Sequence, residues 1–244
     1  MLSKFCTECG KRREDITAAH CAWCHTAFGD VVARNDDQRA KIQESVRRRS
    51  IHEFYHFTSA LQVLLIVRHA AIHPRALLRT QKLPFLDHSQ QWGNPAKAEE
   101  LSHFVSTAIA PPRGMMRNES YPIILSLKPD LLWSGRAAFV GIWASDGRIK
   151  GSVDVLSTMS AEHFDSMFAG PGKRLRRDLP REQLIPGEVL IRGSISLSDV
   201  KRIYCPTAYS RTILGELLKG EFSKAGHTID VLDRPELFGR SEAA

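Results

Sequence analysis

Four of the five cysteines lie near the start of the chain, as Cys6-Thr-Glu-Cys9-Gly10 and Cys21-Ala-Trp-Cys24-His25. A two-residue gap lets a tight turn aim two thiolates at one metal ion. The glycine after Cys9 permits the left-handed backbone that such a turn uses. Two such pairs supply four thiolates, the closed tetrahedral donor set of structural zinc. Disulfides need an oxidising compartment, and a redox dithiol needs one pair at a strand-to-helix junction rather than two pairs close together. His20 and His25 adjoin the set, but Cys6, Cys9, Cys21 and Cys24 suffice. A module of this size depends on its metal to fold. Its Lys4, Lys11, Arg12, Arg13, Trp23 and Phe28 suit either a nucleic-acid strand or a docking surface for the rest of the chain. Cys205 follows the apolar stretch 200–204 and reads as a buried thiol.

The remaining chemistry must come from polar side chains set among apolar ones. The sequence has no phosphate-cradling Gly-x-x-x-x-Gly-Lys, no Gly-x-Gly-x-x-Gly and no Gly-x-Ser-x-Gly. Three residues stand out. His56 sits inside Phe54-Tyr55-His56-Phe57-Thr58, where it is either a cleft residue or a satisfied core histidine. Arg75 lies between Pro74 and Ala76 near an apolar turn, placed to clamp a diphosphate bidentately. Glu188 opens the apolar run Glu188-Val189-Leu190-Ile191, as a catalytic carboxylate or a solvated strand end.

The elements that position these residues follow from periodicity and turn signals. Asn35-Asp36-Asp37 caps a helix over 38–49 that ends in Arg47-Arg48-Arg49, with acid at its start and base at its end. A strand over 54–58 leads through a Ser59 cap into a helix over 61–68. Residues 71–78 read as irregular or extended, 82–98 as a loop and 99–110 as a strand. Further strands are expected over 121–127, 136–143, 188–192, 200–204 and 229–232, with helices over 161–168 and 207–222. Strands and helices mix without regular βαβ alternation, which predicts an α+β fold rather than a doubly wound parallel sheet. The expected organisation is a zinc ribbon over 1–34, a basic helical linker over 35–50 and a main domain over 51–244.

The main domain resembles the DarT-type ADP-ribosyltransferases, toxins that use NAD to modify bases of DNA. Three blocks between residues 52 and 206 carry the resemblance. The first is Phe54-Tyr55-His56-Phe57-Thr58, a helix, then Ile72-His73-Pro74-Arg75. The second is 123–127 followed by 139–145 and Asp146-Gly147. The third is Phe164-Asp165-Ser166-Met167-Phe168, a basic loop, Glu188-Val189-Leu190-Ile191, then Ile195-Ser196-Leu197-Ser198-Asp199-Val200. The resemblance implies an ADP-ribosyltransferase-like core of mixed, largely antiparallel sheet with helices. It implies that His56 and Thr58 hold NAD, that Arg75 holds its diphosphate and assists proton transfer, and that Glu188 is the catalytic glutamate. Gln62 stands where the family commonly has an asparagine, which places it on the cofactor side. Residues 152–187 would recognise the target, with Lys173, Arg174, Arg176 and Arg177 gripping the phosphate backbone. Two departures are visible: Pro186-Gly187 precedes the glutamate, and the aromatic-rich segment after the first block appears as Phe104-Val105-Ser106-Thr107-Ala108.

The expected function is transfer of ADP-ribose from NAD+ to a base of single-stranded DNA or RNA, with structural Zn2+ as an accessory. The implied setting is a toxin–antitoxin or phage-defence system whose antitoxin removes ADP-ribose or masks the enzyme. Two rivals remain: a zinc-ribbon nucleic-acid-binding protein with a non-catalytic domain, and an NAD-dependent RNA 2′-phosphotransferase. Bulk composition fits the leading reading. The 244 residues carry a formal charge of +7, suited to a polyanion, with 43% hydrophobic and 25% charged residues. No apolar run reaches the ~18 residues that span a bilayer, and the N-terminus lacks the apolar core of a secretory signal. Cytoplasmic location and no membrane partner are therefore expected.

Overall fold

The computed structural model describes residues 36–85, 101–111, 121–140, 155–169, 188–226 and 228–239. The proposed zinc ligands Cys6, Cys9, Cys21 and Cys24 lie outside the described residues, as do Lys173, Arg174, Arg176 and Arg177.

The chain builds a mixed α+β fold. In order the elements are α1 (Asp36–Arg48), β1 (Phe54–Ser59), α2 (Ala60–Arg68), β2 (Ala71–Ile72), α3 (Arg75–Thr80), β3 (Phe104–Ala108), β4 (Pro122–Leu127) and β5 (Ala137–Val140). There follow α4 (Ala161–Ala169), β6 (Glu188–Arg192), β7 (Ile195–Ser196), β8 (Val200–Cys205), α5 (Ala208–Ala225) and β9 (Asp230–Asp233). Seven strands form one sheet in the order β5-β6-β3-β1-β4-β8-β9. All neighbours pair antiparallel except β8 and β9. The short strands β2 and β7 pair separately.

Burial explains the layering. Every residue of β4 is buried, so this Pro-Ile-Ile-Leu-Ser-Leu run is a strand covered on both faces. Alternation along the strands then sorts the core into two layers. One face carries Phe54, Leu125, Leu127, Phe139, Val189, Ile191 and Ile203 in a large cluster with Val63, Val67, Phe164, Leu214 and Leu218 from the helices. The other face carries Ala138, Val140 and Leu190 at one end and Ile124, Tyr204 and Phe238 at the other. Phe164 lies edge-on to Phe139, with ring centroids 4.9 Å apart, and pins α4 to β5.

The segment read as a linker is a helix with one face in this core: Ile42 and Val46 of α1 are buried in the main cluster. Its basic end is clamped to α4. Asp165 accepts from the Ser45 hydroxyl at 2.5 Å and from Arg49 at 3.0 Å, and the Arg49 guanidinium lies 4.1 Å above the Phe168 ring.

Two expectations need correction. Residues 71–78 are not irregular throughout: β2 covers two of them, and Pro74, in extended backbone, caps helix α3. Proline suits that position because its missing amide costs nothing ahead of a first turn, and Ala-Leu-Leu-Arg then forms helix readily. The strand expected over 99–110 is five residues long, because Leu101–His103 forms a turn of 3-10 helix before it. Among the other described residues the expected elements agree with the observed ones to within a few residues. α5 begins at its Thr207 cap and ends on Gly226, whose φ of 66° is the left-handed closure glycine permits.

Candidate active site

The central feature is a split in the sheet. β1 pairs with β4 over six positions, Phe54↔Leu127 to Ser59↔Pro122, and β3 pairs with β6 over five. Between β1 and β3 only one position pairs, Tyr55↔Ala108. The sheet is therefore two half-sheets hinged at Tyr55 and Ala108, which part toward Ser59 on one side and Phe104 on the other.

His56 sits at the start of this split. Its Nδ1 is 2.9 Å from the carbonyl oxygen of Ser106. A carbonyl only accepts, so Nδ1 carries the hydrogen and Nε2 is the lone-pair nitrogen of the neutral ring. The imidazole takes a carbonyl that a continued ladder would have given to a β1 amide. Burial pushes the His56 imidazole below its ordinary 6.5, against a weaker upward pull from the Ser106 carbonyl. The unfolded chain thus binds a proton before the fold does. His56 contributes full stability above the ordinary histidine value and loses it as pH falls from there toward the folded value. Melting temperatures taken from about pH 7.5 down to about pH 5.5 should accordingly fall further for the wild type than for His56→Gln. An identical fall in both would contradict a neutral His56. His73, also shifted downward by burial, supplies the decline that remains in the variant.

Glu188 opens β6 and is 3% exposed. It stands level with Ala108 of β3 and Val140 of β5. The Ser106 hydroxyl donates to its Oε1. Register puts Ser106, Ala108 and Glu188 on one face of the sheet and His56 and Thr58 on the other. His56 and Glu188 thus approach the hinge from opposite faces, and Ser106 touches both.

Thr58 lies two residues beyond His56 on the same face, farther into the split. Gln62 is in the first turn of α2, its backbone N–H donating to the Ser59 hydroxyl at 3.4 Å. Arg75 opens α3, which packs on Leu101–His103 at the Phe104 end of β3. Arg75 and Glu188 therefore serve opposite ends of the split, separated by the length of β3, roughly 13 Å at the strand rise. The segment before Arg75 is fixed by β2–β7 pairing and by His73, whose Nδ1 is 2.8 Å from the Ser194 hydroxyl in the turn after β6.

Two groups were missed by sequence reasoning. Ser106 was passed over inside Val105-Ser106-Thr107-Ala108, although a Ser-Thr pair in a buried strand signals side chains with partners to find. The second is Glu53. It accepts from Ser126 at 2.5 Å and Tyr55 at 3.2 Å, and the Tyr204 hydroxyl lies 3.1 Å from both its oxygens. Arg202 approaches to 3.7 Å. This carboxylate joins β1, β4 and β8 and is saturated by its neighbours, which marks it as structural. Burial, then the Glu53 charge, raises the Tyr55 phenol above its usual range. The Cys205 thiol is pushed up to about 12 by burial and is inert, as expected.

A largely antiparallel seven-stranded sheet, split beside a buried strand-end glutamate and backed by helices, defines a DarT-like ADP-ribosyltransferase fold. In particular, the structure is similar to DarT of Thermus sp. 2.9 in complex with NAD+, with a TM-score of 0.50 and 13% identity over 77% of this chain and 98% of that one. It is similar to the same enzyme in complex with ADP-ribosylated single-stranded DNA, with a TM-score of 0.50 and 12% identity over 78% and 97%. A third similarity is to Thermosipho africanus DarTG in complex with ADP-ribose, with a TM-score of 0.50 and 15% identity, covering 77% of this chain and 51% of that one. No family profile and no curated protein matches the sequence. No helix among the described residues is long and apolar enough to cross a membrane.

Proposed function

We propose that the chain is an NAD-dependent ADP-ribosyltransferase acting on a base of nucleic acid, single-stranded DNA in the first instance. One observation carries this reading: in a fold similar to NAD-bound DarT, the split sheet gathers His56 and the buried Glu188 around Ser106. The complex of DarT with ADP-ribosylated single-stranded DNA supports the choice of strand.

In the proposed reaction the bond between nicotinamide and the ribose C1′ breaks, and neutral nicotinamide leaves with the bonding pair. Positive charge develops on the ribose, as in glycoside cleavage. Glu188, held as a carboxylate at the hinge, stabilises that charge. A ring or amino nitrogen of the base then bonds to C1′, and its proton passes to solvent or to a nearby base. His56 and Thr58 hold NAD from β1, with Gln62 beyond them, and Arg75 holds the diphosphate at the Ser59 and Phe104 end of the split. A base inside a duplex would have to be extruded first, so a single strand is the easier acceptor. Lys173, Arg174, Arg176 and Arg177 grip its phosphates, which makes binding salt-sensitive.

The four thiolates of Cys6, Cys9, Cys21 and Cys24 hold one zinc ion that folds the N-terminal module. Elemental analysis should find about one zinc per wild-type chain and a clear loss in Cys9→Ser. Unchanged zinc in that variant would refute the ligand set. A toxin role, with an antitoxin that removes ADP-ribose or masks the enzyme, completes the proposal.

The test is to incubate the protein with NAD and defined DNA and RNA oligonucleotides and weigh the products. Addition of an ADP-ribose mass to one strand supports transfer and names the target. Binding of strands without NAD consumption would favour a non-catalytic nucleic-acid-binding protein. Loss of a 2′-phosphate from RNA would favour the phosphotransferase.

A further inference from the structure

We infer that Ser106 is a positioning residue of this site, setting His56 and Glu188 against each other across the split. This rests on the reading of Glu188 as the carboxylate that stabilises the ribose cation.

Three observations carry it. First, one residue makes both contacts: the Ser106 carbonyl accepts from His56, and the Ser106 hydroxyl donates to Glu188. Second, the contact is diagonal. Ser106 pairs with Leu190, and Glu188 pairs with Ala108, so the two side chains share a face two positions apart. A hydroxyl placed there sets the rotamer of a carboxylate that is almost fully buried. The positions level with Glu188 on either side, Ala108 and Val140, carry no charge. Third, strand cohesion does not require this bond. The next residue, Thr107, is fully buried on the opposite face and ties the same two strands by donating to the Val189 carbonyl at 2.7 Å.

The pair Ser106 and Thr107 therefore separates positioning from mere cross-strand attachment. Ser106→Ala and Thr107→Val each delete one bond between β3 and β6. For Ser106→Ala, kcat for transfer should fall about 10²-fold with the KM for NAD within about twofold, as expected when a reacting group is displaced by about 1 Å. Ser106→Thr keeps the hydroxyl and should recover most of that loss. Thr107→Val should lower the melting temperature and leave kcat within about threefold, an effect on stability alone. Equal kcat in Ser106→Ala and wild type, or equal kcat losses in Ser106→Ala and Thr107→Val, would overturn the proposal.

A second readout needs no activity. With 13C-labelled glutamate, the Glu188 carboxyl resonance is identified by its absence from Glu188→Gln, and its titration is followed in wild type and Ser106→Ala. Removing a donor from the carboxylate should move its midpoint upward. An unmoved midpoint overturns the role of Ser106 whatever the enzyme does. A moved midpoint in a chain that never consumes NAD would leave Ser106 holding Glu188 and would overturn the transferase reading instead.

Discussion

Glu188→Gln should cut ADP-ribose transfer by about 10²–10³-fold and leave the folded protein in place. The amide is the same size as the carboxylate and still accepts from the Ser106 hydroxyl, so β6 keeps its packing between β3 and β5. What is lost is the negative charge beside the developing ribose cation. In a site from which water is excluded, removing one such stabilising group costs on the order of 10²–10³ in kcat. NAD affinity, which depends on groups all along the split, should change by no more than a few-fold. The comparison is made with labelled NAD and the preferred oligonucleotide, beside melting curves of both proteins. Full activity in the variant would remove Glu188 from the chemistry.

Glu53→Ala should cause the largest loss of stability from a single polar substitution. Its side chain accepts from three hydroxyls, and one of them, that of Ser126 in β4, is fully buried. Truncation leaves Ser126 and Tyr204 without their acceptor and opens a small void between β1, β4 and β8. A buried donor left unsatisfied costs about 1–3 kcal/mol, so two give roughly 3 kcal/mol after local relaxation. For a chain of this length that is a fall of about 6–12 °C in Tm. Glu53→Gln should recover much of it, because an amide oxygen still accepts. A loss under about 1 kcal/mol in Glu53→Ala would mean that the cluster relaxes onto water.

These two glutamates show what was legible in the sequence. Glu188 stood out because it opens a run of buried β-branched and leucine residues, and such a run has few places for a charge. Glu53 did not, because it precedes its strand, where Ile51-His52-Glu53 reads as an ordinary loop with a surface acid. Its burial is created by Tyr204 and Ser126, which arrive from 73 to 151 residues away. The strands β1, β4, β6 and β8 and the helices α2 and α5 are local in origin and were read from alternation, apolar runs and caps. The β2–β7 pairing was not, since two-residue strands carry no period. The split was illegible for the same reason. Nothing in residues 54–59 or 104–108 says that they pair at one position only, and the opposed faces of His56 and Glu188 follow from that register. Ser106 looked like half of a polar step in a strand until β6 was laid beside it.

The most direct test of the account is a crystal structure of the protein with NAD, using Glu188→Gln to hold the ligand uncleaved. The account predicts NAD lying in the split between β1 and β3. The nicotinamide ribose should be at the hinge beside Ser106 and residue 188, and the diphosphate should be toward Arg75. NAD found elsewhere, or lying in the split with its nicotinamide ribose at the Arg75 end, would contradict it.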